Sequence, residues 1–129
     1  MTIEAPKLDY GQAEIGAFLE GARNGQFNFD PNAVTQMVGV YDSLLAVLTT
    51  VRERVKEVID AKGFGGFQSA QELQTGFGGK ATEGVAVIDQ LIVGVLDLQE
   101  AYLRSAQKIA EIDELSQKRI RLAAEGIGA

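Results

Sequence analysis

The stretch DPNAVTQMVGVYDSLLAVLTTVRERVKEVIDAKG, residues 30–63, decides the fold. Asp30 stands directly before Pro31, an N-cap followed by a residue whose missing N–H is not needed in a first helical turn. Apolar residues then recur at Val34, Met37, Val38, Tyr41, Leu44, Leu45, Leu48, Val51, Val55, Val58 and Ile59. Steps of three and four place them along one broad helical face. The other side carries Gln36, Asp42, Ser43, Arg52, Glu53, Arg54, Lys56, Glu57 and Asp60. Gly63 supplies the C′ stop. The reading is a helix over residues 31–62, about 48 Å long at 1.5 Å per residue. Phe27 and Phe29 stand where they can staple the incoming chain to its first turn.

Outward from this helix the pattern changes on both sides. Residues 1–29 read as a leader, partly disordered or forming one short helix over Ala13 to Ala22. Gly11, Gly16, Gly21 and Gly25 weaken that helix by about 1 kcal/mol for each interior glycine. After residue 62 comes a Gly/Phe-rich connection, residues 63–79, in which Ser69 and Glu72 offer a cap for a turn or two. A second long stripe follows: Val85, Ile88, Leu91, Ile92, Val95, Leu98, Tyr102, Ala106, Ile109, Ile112 and Leu115. It predicts one helix over residues 80–122, with Asp89, Asp97, Glu100, Arg104, Glu111 and Lys118 on its polar side.

The expected fold class is therefore all-α. Residues 30–125 form a long antiparallel helical hairpin, its turn marked by Phe64, Gly65, Gly66 and Phe67. Its core or interface stripe is Tyr41, Leu44, Leu48, Val51, Val55, Ile88, Ile92, Val95, Tyr102 and Ile109. Val40, Val47, Val87, Val93, Leu96 and Leu103 fall outside the main stripes and ask for a second buried face. Dimerisation into a four-helix bundle meets that need, and a leader helix folded back on the hairpin is the alternative.

Composition narrows function. Of the 129 residues, 46% are hydrophobic and only 7% aromatic, which favours helix packing over stacked sheets. Net charge is −6, unfavourable for nucleic-acid binding. The basic cluster Lys118, Arg119 and Arg121 reads as cations at the negative end of a helix. Without Cys and His, thiol chemistry, disulfides and the usual proton shuttle are missing. The glycine loop lacks Walker spacing, since Gln74 stands where the first glycine belongs and Lys80 is followed by Ala81. Glu111, Asp113 and Glu114 read as a solvated face rather than a metal or acid–base site. No enzyme activity, cofactor or metal is expected. The N-terminus has no cleavable signal pattern, and Val85 to Leu98 is too short and too charged to span a bilayer.

At the hairpin the sequence resembles the Trp-X-Gly family of small helical hairpins, and their Esx-associated relatives, of type VII secretion systems. Phe27 to Val34 (FNFDPNAV) is similar to the helix-opening segment of actinobacterial members. Phe64-Gly65-Gly66 stands where members carry Trp-X-Gly, and Phe64 to Ala81 looks like the connection of the secretion-associated branch. The resemblance implies a homo- or heterodimeric bundle of helical partners that engages the secretion machinery as substrate, co-secreted partner or adaptor. It also implies a chain secreted without a cleaved signal peptide, or cytoplasmic before export. The family's Tyr-x-x-x-Asp/Glu export signal does not follow the second helix: Ala106 stands four residues after Tyr102, and the Tyr10/Glu14 pair has the spacing but lies in the leader. A cytosolic helical structural or regulatory subunit is the alternative reading.

Overall fold

The computed structural model describes residues 9–59 and 65–128. It contains four helices, α1 (Gln12–Arg23), α2 (Pro31–Ile59), α3 (Gln68–Ser105) and α4 (Ile109–Ala124), and no strand among the described residues. The protein is all-α. Phe64, in the expected turn motif, lies outside the described residues.

Helix α2 starts where its capping residues dictate. The Ala33 N–H donates to Asp30 Oδ2 at 2.9 Å, and Val34 N–H to the Asp30 carbonyl at 3.0 Å. Its broad apolar face resolves into two lines. The inner line is Val34, Val38, Tyr41, Leu45, Leu48, Arg52 and Val55, alternating steps of four and three. Val34 and Leu45 on it are each only 2% exposed. Arg52, expected on the polar face, is buried on this line. Its guanidinium Nε meets Asp89 Oδ1 at 2.6 Å, and Nη2 donates to the Glu125 carbonyl at 3.2 Å, so the buried charge is paired.

Helix α3 is the spine, at 38 residues and roughly 57 Å. It runs antiparallel to α2: Gln99 meets Val38, Asp89 meets Arg52, and the Gly84 backbone lies against Val55. The expected second helix is corrected at both ends. Helix starts at Gln68, so most of the supposed 63–79 connection is helical, with Ser69 inside it rather than capping it. At Gly78 a Cβ would sit 3.3 Å from the Ile59 carbonyl oxygen, so glycine lets α2 and α3 approach there. The helix also stops early, at Ser105. Gln107 adopts φ 57°, Gln107 N–H bonds the Arg104 carbonyl, and Lys108 N–H bonds the Leu103 carbonyl. This is a Schellman end with glutamine in the left-handed position usually held by glycine.

That reversal folds α4 back along α3. Lys108, which caps α4, and Lys118 within it also reach α2, through Lys108 Nζ to Thr35 Oγ1 at 2.9 Å and Lys118 Nζ to Asp42 Oδ1 at 3.5 Å. After α4, Gly126 at φ 90° completes another Schellman end, and Ile127 is buried in the core. Helix α1 lies on another side of α3. Asp9 accepts from the N–H groups of Gln12 and Ala13 to start it, and Gly25 at φ 73° ends it. Leu19 and Ala22 of α1 pack on Ala101, and Ile15 approaches Gly94. Phe27 and Phe29 stack with Phe18 and Tyr102. The Phe29 N–H bonds the Ser105 carbonyl at 2.8 Å and fixes the entry to α2.

The second half of α3 is thus enclosed by three helices of its own chain. The main core joins Val34 and Leu45 with Ile92, Val95, Leu96 and Leu103 of α3, Ile112 and Leu115 of α4, and Ile127.

Candidate interaction surface

The second apolar line of α2 turns away from the core. Met37, Val40, Leu44, Val47 and Val51 repeat at steps of three and four, offset by about a quarter turn from the inner line. Val40 is 66% exposed and Val47 58%, with Leu44 and Val51 near 40%. Between Pro31 and Val51 the only charged residue is Asp42. An 18-residue window of this helix has a mean hydropathy of 1.4, yet only 11% of it is buried. By length and composition alone α2 could cross a membrane. Its C-terminal third is charged, and Arg52 there pairs with Glu53 and Asp89.

The expected stripe residues divide accordingly. Ile92 and Val95 are buried together in the core, and Leu48 and Ile88 pack against it. The Tyr41 and Tyr102 rings stack at 6.1 Å between centroids. Burial raises the Tyr41 hydroxyl above its ordinary pKa, and the Tyr102 hydroxyl beside it raises it further. Val55 is half-buried against α3. Leu44 and Val51 belong to the outward line, and Ile109 is 65% exposed because α4 begins there after the chain has reversed. Of the turn motif, Gly65 takes φ 96°, Gly66 is exposed, and Phe67 is 80% exposed at the start of α3. Phe67 anchors nothing in the core.

Charged residues on the polar side of the second stripe hold the helices in place behind this surface. Glu100 is buried where α1, α3 and α4 meet. It accepts from Arg104 Nε at 2.8 Å, Arg23 Nε at 3.1 Å and Arg119 Nη2 at 3.3 Å, and Arg119 also reaches Asp97 at 2.7 Å. Burial pushes the Glu100 carboxyl up, but hydrogen bonds and charge from Arg104 and Arg23 outweigh it, so the net shift is downward. Arg119 is therefore a cross-helix partner and not merely a helix-end cation. Among the described residues no group of three His, Cys, Asp or Glu side chains is arranged to hold a metal ion.

The chain matches no family model, no curated protein and no solved structure. The surface must be read from its own chemistry. The outward line was present in the sequence as Met37, Val40 and Val47 interleaved with the inner residues. Two heptad lines side by side make one wide stripe, and periodicity does not say which of the two faces inward.

Proposed function

We propose that this chain is a non-enzymatic, helix-packing interaction protein, serving a type VII (Esx-like) secretion system as substrate, co-secreted partner or adaptor. One observation carries the interaction half of this reading: α2 contains an 18-residue window of mean hydropathy 1.4, and its outer apolar line remains exposed after the chain has packed its own helices. An uncharged line at coiled-coil spacing is suited to another helix. Covering all that its five side chains leave exposed contributes at most roughly 4–7 kcal/mol before the cost of association. The secretion half rests on the resemblance at Phe27 to Val34 and Phe64 to Ala81.

The test is solution mass, measured for the chain alone and mixed with the product of the neighbouring gene. A stable dimer is expected, either of two copies or of the two proteins. Val40→Glu combined with Val47→Glu should abolish it while leaving helical ellipticity intact, because both positions are exposed in the folded chain. A monomer in every mixture overturns the interaction reading. Deleting the secretion ATPase should retain the chain in the cell pellet; unchanged export would remove the secretion half.

A further inference from the structure

The outer line of α2 is a pattern that fits itself. Continued by the same alternation of three and four residues, it reaches Ala33 and Asp30 beyond Met37, and Arg54 beyond Val51. From Asp30 to Arg54 the steps are three, four, three, four, three, four, three, the same from either end. The centre of the strip is level with Asp42. The Asp42 side chain itself turns the other way, to Gln99 and Lys118. The two ends of the strip carry opposite charges, and both are exposed. Arg54 makes no ion pair among the described residues.

Turned end for end about that centre, a second strip meets the first residue by residue. Asp30 faces Arg54, Ala33 faces Val51, Met37 faces Val47 and Val40 faces Leu44, each contact occurring twice. Every apolar side chain then meets an apolar one, and each charge meets its opposite. A parallel pair would set Arg54 against Arg54 and Asp30 against Asp30. Sliding the antiparallel pair by one heptad either way would set Arg54 against Met37 or Asp30 against Val47. We propose that the occupant of this face is a second copy of the chain, docked as an antiparallel α2–α2 pair about a two-fold axis level with Asp42. The proposal rests on the interaction reading above and names its partner. Gln36, Ser43 and Thr50 on the strip's flank are uncharged, so they admit a second helix and give an anionic membrane surface nothing basic to hold. The five apolar side chains leave roughly 400 Å² open per copy, about half of what each partner gives in a standard interface. The pair is therefore reversible, with a dissociation constant in the micromolar range.

Sedimentation equilibrium on the full chain alone should show monomer and dimer exchanging in that range. The chain has no Cys, so a nitroxide can be placed at one engineered position at a time. Label-to-label distances between the copies read their orientation. Ser43→Cys, beside the axis, should give less than about 20 Å, and Glu57→Cys about 45 Å, from 1.5 Å per residue on either side of the axis. Arg54→Glu sets Glu against Asp30 at both ends and should weaken the dimer about tenfold with unchanged ellipticity. Short distances at both labelled positions, or a dimer indifferent to Arg54→Glu, would overturn the antiparallel pair. A chain still monomeric at roughly 100 µM would overturn it as well. If that monomer gains mass on adding the neighbouring gene product, self-pairing falls and the interaction reading stands. If it gains mass only on vesicles containing anionic lipid, both fall.

Discussion

Gln107 shows how one backbone conformation decides the topology. A continuous helix from residue 80 to residue 122 would place α4 far beyond the bundle. The left-handed turn at Gln107 returns it to the core instead, where Ile112 and Leu115 are buried. The same Schellman pattern closes α1 at Gly25 and α4 at Gly126, and those two glycines are visible stop signals. Glutamine is not, because an L side chain in that region costs about 1–2 kcal/mol and sequence reasoning has no cause to expect it there. The stop at 107 is set by what α4 gains on returning to the core. Gln107→Gly should therefore stabilise the protein by about 1 kcal/mol, the relief of strain less the added freedom of the unfolded chain, raising the midpoint of chemical denaturation. A fall in that midpoint would contradict the left-handed turn. Arg52 teaches the same lesson from its charge: it reads as surface, yet Asp89 and the Glu125 carbonyl make its burial tolerable.

At the level of elements, the start and course of α2 were legible, since cap, N1 proline and heptad spacing agree on them, while its expected end at residues 60–63 lies outside the described residues. The first third of α3 was not. Gly76, Gly78 and Gly79 lower its intrinsic helicity by about 1 kcal/mol each, which in isolation describes a linker. Contact with the end of α2 makes it helical, and Gly78 is the point of closest approach to Ile59. These roles can be separated. Gly79 has nothing within 4 Å of a built Cβ, so Gly79→Ala should raise stability by about 1 kcal/mol if the segment is helix. Gly78→Ala should gain less or lose stability, because its new methyl meets backbone 3.3 Å away. Thermal melts of the two variants compare them directly. Equal gains would place the α2–α3 contact elsewhere.

On the scale of the whole molecule, Glu100 ties three helices together through Arg23, Arg104 and Arg119. Glu100→Gln should cost about 1–3 kcal/mol, because three donors lose their charged acceptor. The sign of its pH dependence follows from the lowered carboxyl pKa. The contribution is complete above the ordinary value of 4.5 and is lost as pH falls through the lower folded value. Acid titration of unfolding should show a flatter acid limb in Glu100→Gln than in the unaltered chain. Parallel limbs would mean that Glu100 carries no such linkage. All-helical character, the start and course of α2 and the absence of Cys and His were determined by the sequence alone, because capping, periodicity and composition are local properties. Tertiary structure decided which of two interleaved apolar lines turned inward, where the second long stripe reversed, and which charges were buried. Those outcomes depend on what each residue meets across the bundle, and local spacing carries no record of that.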